Sequence, residues 1–470
     1  MSRVRYTGFA AIVSGDPECT RYTDADILTE DGFILGFSKR GSEADQHEET
    51  VDCQGLIAYP GLINTHHHFF QACVRNLAGL DWTTLSVMEW LDRIYPIFAR
   101  LNEDCFYHGS LVSLADLVKN GCTTAFDHQY CFPEHAGKRL IDRQFEAAEL
   151  LGMRFHAGRG CNTLAREDGS TIPEAMRETT EAFLDDCVRL IETYHDGSPG
   201  SMRQVVVAPC QPINSLPDTF AEAARLARHY GVSLHTHLGE GETAGMRARY
   251  GMDSLDWCAQ HAFLGEDVWL AHGWEFGTAE IATLAATGTG ISHCPAPVYL
   301  VGEAVTAVPA MIAAGVRVSL GVDGQASNDG SNLAECIRLA YLLQCLNAGQ
   351  HAHTVPTPYD FLRMGASGGA DCLNRSDLGE LAVGKAADFF AIDSQRLDRA
   401  GAIHSPGSLP AKVGLGGPVD LTVVAGQIVW RNGEFPGLDE AQLAAEANQV
   451  FSRTLGDVAH SYGEASSDGL

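Results

Sequence analysis

His66 and His68 stand two residues apart at the end of the run Gly61-Leu62-Ile63-Asn64-Thr65, after the β-rich segment 51–59. On a strand, residues two apart share a face. Two imidazoles side by side make half of a divalent-metal site. Later strands supply the other half. One ends His235-Thr236-His237, with Glu240 three residues on; another ends in His272; a third runs into Asp323. A single strand-end histidine is more often hydrogen-bonded than ligating, so the joint pattern carries the signal. Three neutral imidazoles and one carboxylate hold a divalent ion and leave a place for water. His66, His68 and Asp323 fill three of these positions. His235 and His237 share a face, and spacing alone does not choose between them. Metal coordination lowers the pKa of a bound water towards ~7. Glu240, beyond the strand end, is placed to move protons without ligating. His272 is placed to hydrogen-bond the reacting edge of a substrate, and Asp323 both to ligate and to take the water's first proton.

These residues need a scaffold that brings strand ends to one rim. Between about 62 and 370, short apolar runs alternate with longer amphipathic ones. Strands are expected at 58–65, 122–127, 154–157, 204–209, 233–237, 268–272, 290–293 and 316–321. Helices are expected at 103–119, 140–151, 218–230, 278–286 and 304–314. Eight strands separated by helices argue an α/β fold of the (β/α)8 TIM-like barrel type, whose active sites lie at the C-terminal strand ends. No glycine-rich dinucleotide fingerprint follows the first strand. Strand patterns also occupy residues 1–58 and return after about 375, at 387–392, 421–424 and 427–430. The expected organisation is therefore 1–58 and 371–436 as two parts of one small composite β-sandwich. The barrel fills 59–370, and 437–470 forms a C-terminal helix with a frayed polar tail.

The chain has 470 residues, 45% of them hydrophobic, with 60 acids against 32 bases and a formal charge of -28. That balance speaks against a nucleic-acid footprint and against an anionic membrane surface. The N-terminal segment lacks the pattern of a signal peptide, and no apolar run of 18 residues exists. The 14 cysteines form no C-x-x-C pair and fit buried reduced thiols in the cytoplasm. A homodimer is the base-rate expectation.

The run 60–68, the segments Leu234-His235-Thr236-His237-Leu238-Gly239-Glu240 and Leu270-Ala271-His272, and Gly321-Val322-Asp323-Gly324-Gln325-Ala326-Ser327-Asn328-Asp329 together resemble the amidohydrolase superfamily. Leu378-Gly379-Glu380-Leu381-Ala382-Val383-Gly384-Lys385-Ala386-Ala387-Asp388 is similar to that superfamily's return into its β-sandwich. The likeness spans nearly the whole chain. It is nearest the cytosine-deaminase-like branch with 8-oxoguanine deaminase, isoxanthopterin deaminase and the s-triazine hydrolases. The resemblance implies His237 rather than His235 as ligand, and Glu240 as proton shuttle. Binuclear members carry a bridging lysine on strand four; the segment 204–210 has none, which implies one Zn2+, with Fe2+ as the alternative ion. Gln71 matches the glutamine that contacts the heterocycle in the deaminases. Trp90 and Tyr95 are candidates for an aromatic wall. Arg159 and Gln211, after strands three and four, are candidates for the pocket, and Asp127 and His128 for outer partners of the metal ligands.

Two segments depart from the 8-oxoguanine pattern: His293-Cys294-Pro295-Ala296-Pro297-Val298-Tyr299-Leu300, and Gly273-Trp274-Glu275-Phe276 after His272. The sequence reading is a hydrolytic deaminase of a small amino-substituted N-heterocycle, an 8-oxoguanine- or pterin-like ring, releasing ammonia. The alternative is an s-triazine hydrolase releasing chloride or an alkylamine. A non-catalytic metal-binding barrel is the reading from another class; a lyase or isomerase would want Mg2+ and oxygen ligands.

Overall fold

The computed structural model describes residues 3–39, 49–77, 85–301 and 304–462. The chain begins with β1 (Arg3–Val13), β2 (Arg21–Glu30), β3 (Phe33–Lys39), β4 (Glu49–Asp52) and β5 (Leu56–Pro60). The next eight strands are β6 (Leu62–Asn64), β7 (Cys122–Gln129), β8 (Arg154–Arg159) and β9 (Arg203–Val207), then β10 (Leu234–Leu238), β11 (Val268–His272), β12 (Gly290–His293) and β13 (Val318–Leu320). They pair in parallel in sequence order. Three further strands follow, β14 (Phe389–Asp393), β15 (Leu421–Val424) and β16 (Gln427–Arg431).

Hydrogen bonds close the ring between β6 and β13. Thr65 N–H donates to the Leu320 carbonyl at 3.2 Å, Val322 N–H to Asn64 Oδ1 at 3.0 Å, and Asp323 N–H to the His66 carbonyl at 3.1 Å. The eight strands thus form a nearly closed barrel, and its seam draws Asp323 against the His66 strand end. Inside, Ile63, Phe126, Val206, Ala208 and Trp269 pack with Ala370 and Cys372 of the helix Ser367–Cys372. This plug is apolar, so polar chemistry is left to the opposite, C-terminal rim.

The strand expected over 58–65 is two strands. Residues 56–60 belong to the terminal sheet, where β5 pairs with β1 and β14, whereas 62–64 pair with β7. Gly61 divides them, because a Cβ there would lie 2.2 Å from Thr123 Oγ1. The helix expected from 304 begins at Val308 instead, with Pro309 in its first turn, where a missing N–H costs nothing. The outer helices Glu103–Lys119, Leu140–Leu151, Thr180–Tyr194, Pro217–Tyr230 and Thr278–Thr287 bury one face each against the strands.

The N- and C-terminal strands merge into one sheet of order β16-β15-β14-β5-β1-β2-β3, with β4 beside β1. Tyr6, Phe9, Ile27, Phe389, Leu421 and Val423 share its core. Arg154 of the barrel, fully buried, reaches Asp388 at 2.6 and 3.1 Å and ties the two parts together. The C-terminal helix Glu440–Tyr462 lies on the helix Glu103–Lys119, with Asn102 Nδ2 donating to Thr454 Oγ1. The polar tail beyond 462 falls outside the described residues. Among the described residues, no helix is long and apolar enough to cross a membrane.

Candidate metal centre

His66, His68, His237 and Asp323 converge at the barrel mouth. His68 Nε2 lies 3.0 Å from His237 Nε2 and 3.3 Å from Asp323 Oδ1; His66 Nε2 lies 3.6 Å from that oxygen. Four ligands about 2.1 Å from one tetrahedral ion sit about 3.4 Å apart, so these separations suit a single centre. The far side of each ring fixes its tautomer. His68 Nδ1 faces the His128 carbonyl at 2.9 Å, and His237 Nδ1 faces the Cys210 carbonyl at 2.9 Å. Both Nδ1 atoms must carry hydrogen, which leaves two Nε2 lone pairs pointing at each other. Such an arrangement is repulsive unless a cation lies between them. His66 Nε2 is buried and has no hydrogen-bond partner.

His235, the rival that spacing left open, points the other way. Its Nδ1 faces the Trp269 carbonyl at 2.9 Å, so its Nε2 is an acceptor, and it takes the His66 Nδ1 hydrogen at 2.9 Å. His235 therefore orients His66 from below. Its ring packs on Phe126 and Trp269 of the plug. His67 turns away to Ser331 Oγ. Burial, then the neighbouring imidazoles, hold His66 and His237 well below their ordinary pKa, so both rings stay neutral lone-pair donors.

Glu240 Oε1 lies 3.3 Å from His272 Nε2, and both groups adjoin His237. Burial pushes His272 down to about 4, so the ring is neutral near pH 7. His272 and Asp323 both have positive φ, 73° and 64°. The backbone there bends off the strand direction and aims each side chain inward, at a conformational cost typical of functional positions.

A narrow pocket adjoins these groups. Gln71, Trp90, Tyr95, Gln211 and Glu240 line it, as do residues the sequence reading missed: Val87, Leu91, Tyr130 and Ser327. Tyr130 was within reach of the strand-end rule, since it follows β7 directly. Gln71 Oε1 accepts from Ala326 N–H at 3.1 Å, whereas Gln211 Oε1 is buried without a partner. Arg159 is a correction: it is not at this cavity. Its guanidinium binds Glu178 and Asp186 at 2.7 Å, stacks on Phe132, and lines a separate cleft. Strand alternation turns its side chain outward, and two carboxylates hold it there. Asp127 accepts from Phe69 N–H and Gln144, and burial pushes its carboxyl up to about 7. It fixes the turn after His68, and His128 supports His68 through its carbonyl.

Residues 57–429 match the amidohydrolase family. The chain belongs to that family. This amidohydrolase is 63% identical over 463 residues to hydroxydechloroatrazine ethylaminohydrolase of Pseudomonas sp. (strain ADP), covering 97% of this chain and 96% of that protein. It is 36% identical over 434 residues to 8-oxoguanine deaminase of Pseudomonas aeruginosa, covering 91% and 94%. Among solved structures, it resembles atrazine chlorohydrolase from Arthrobacter aurescens complexed with zinc, with a TM-score of 0.91, 30% identity and coverage of 95% and 100%. The amidohydrolase relatives are thus hydrolases and deaminases acting on carbon–nitrogen bonds, and this chain is an enzyme of that class.

Proposed function

We propose that this amidohydrolase removes an alkylamino group, ethylamine above all, from a hydroxylated s-triazine with the aid of one zinc ion. The observation that carries the substrate is the 63% identity, end to end, with a hydroxydechloroatrazine ethylaminohydrolase. The 8-oxoguanine and pterin readings give way to it, because those deaminases share only 36% and 35% of residues. The cavity supports the same choice. Its apolar side (Val87, Trp90, Leu91) suits an N-alkyl group, and Gln71, Tyr130 and Gln211 suit the ring's donor and acceptor edge. Zinc is supported by the ligand set and by the zinc complex of the related chlorohydrolase. A non-catalytic barrel would have no use for a buried carboxylate beside the ligands.

His66, His68, His237 and Asp323 would hold the ion. When bound, it supplies Lewis-acid chemistry that makes a water nucleophilic near neutral pH. Glu240 would take a proton from the attacking water and deliver it to the departing amine nitrogen. One carbon–oxygen bond forms and one carbon–nitrogen bond breaks, leaving an oxo-triazine and a free amine. Neutral His272, with its Nε2 3.3 Å from Glu240 Oε1, faces the reacting edge. Gln71 and Gln211 orient the ring, and Trp90 and Leu91 exclude bulk water. Fourteen unpaired cysteines support a cytoplasmic setting, and base rates support a homo-oligomer.

The test is a panel of N-ethyl hydroxytriazines, atrazine, 8-oxoguanine and isoxanthopterin, read for ethylamine, chloride and ammonia. Ethylamine release with the highest kcat/KM is expected; faster ammonia release from 8-oxoguanine or the pterin sinks the reading. Glu240→Gln should retain the metal and lose about 10²–10⁴-fold in kcat. Loss of the metal from that variant would show that Glu240 is a ligand.

A further inference from the structure

Glu242 is a buried carboxylate that the chemistry above leaves unused. It is 2% exposed. Its Oε1 accepts the Gly239 N–H at 2.8 Å, and its Oε2 accepts the Glu240 N–H at 2.8 Å. The two oxygens therefore grip the two successive peptide units that lead into Glu240. Glu242 also precedes the helix Thr243–Tyr250, yet its side chain makes no hydrogen bond to that helix. It turns back onto the Glu240 loop instead of onto the helix that follows it.

The segment after His272, unusual in the sequence, closes the loop from the other side. Gly273 N–H donates to the Leu238 carbonyl at 3.0 Å, and Glu275 N–H to the Gly239 carbonyl at 3.2 Å. Glu275 Oε2 accepts the Thr243 hydroxyl at 2.7 Å. Phe276 packs so tightly on Gly239 that a Cβ there would lie 2.7 Å from its ring. Gly239 and Gly241, at φ 68° and 95°, let the loop take this path around Glu240.

We propose that Glu242 is the positioning residue for Glu240, and that Glu275 and Phe276 complete its clamp. This rests on the assignment of Glu240 as the proton-transferring group. A proton shuttle must stay within hydrogen-bond reach of both water and leaving group, and a loop error of 1 Å costs about 10²-fold. An amide at position 242 keeps the shape but has one acceptor oxygen, and its NH2 would face a backbone N–H.

The experiment compares zinc-loaded parent, Glu242→Gln, Glu275→Ala and Glu240→Gln on an N-ethyl hydroxytriazine, with kcat, KM, zinc content and Tm measured for each. Glu242→Gln should lose about 10²-fold in kcat with KM within about threefold and zinc retained. Glu275→Ala, at an exposed position, removes the Thr243 contact but keeps the backbone N–H, and should lose about three- to tenfold in kcat with KM unchanged. A Glu242→Gln enzyme with parental kcat, or one whose loss only tracks missing zinc, overturns the proposal. If Glu242→Gln does not fold, an unchanged kcat in Glu275→Ala overturns it, and a lowered kcat with unchanged KM supports it. An active Glu240→Gln would instead sink the assignment on which it rests.

Discussion

At the scale of single residues, the centre depends on which nitrogen of each ring carries hydrogen. His235 has no free face towards the ion, yet it sets the tautomer of His66. Replacing it by alanine should weaken metal affinity about 10–100-fold while leaving Glu240 in place. Chelator competition with the purified protein checks this; an unchanged metal off-rate would remove His235 from the account. Arg159 makes the opposite case. It is saturated by Glu178 and Asp186 and remote from the cavity. Arg159→Ala should leave KM within about twofold and lower stability by about 3 kcal/mol, because two carboxylates lose their partner. Melting curves and steady-state kinetics on one preparation separate the two effects.

At the scale of elements, strand ends were legible because the chemistry repeats at them: His66 and His68, His235 and His237, His272 and Asp323. Glu240 was legible from its offset to His237. The apolar wall was less so. Val87, Trp90, Leu91 and Tyr95 come from one helix, Val87–Phe98, which starts in a capping box of Ser86 and Glu89. Its buried face resembles any amphipathic helix, and periodicity does not say that part of it faces a cavity rather than core. Ser86→Ala should cost about 1 kcal/mol and raise KM more than it lowers kcat, since the helix supplies binding surface only. A variant with normal KM and depressed kcat would mean that the helix acts on the chemistry itself.

At the scale of the whole molecule, the barrel rim gathers an unusual density of buried neutral imidazoles. Burial holds His67 down to about 3, His272 to about 4 and His293 to about 3, with the charge of neighbouring imidazoles adding to the shift in His67 and His293. In the unfolded chain, each takes a proton as pH falls through about 6.5. Between those limits the unfolded state binds more protons, so stability is lost as pH falls. The slope is at most about 1.4 kcal/mol per pH unit for each ring. Asp127, held up to about 7, takes its proton in the folded state over the same range and offsets one ring, so the net of the three rings should make metal-free protein melt at progressively lower temperature from pH 7 to pH 5. A flat Tm over that range would contradict the burial of these rings.

The terminal strands required the tertiary structure most. Local pattern marks β5 and β6 as one apolar run, and only the approach of Thr123 to Gly61 divides it between two sheets. Residue types and spacing alone determined a metal-dependent hydrolase on a barrel, because ligand chemistry and strand periodicity are both local properties of the chain. Spacing left His235 and His237 open and the resemblance chose His237; the physical reason for that choice, the outward turn of Arg159 and the grip of Glu242 are visible only in three dimensions. Each turns on which carbonyl, carboxylate or N–H from a distant segment, or from the far side of a turn, satisfies a buried polar group, and sequence spacing carries no record of that partner.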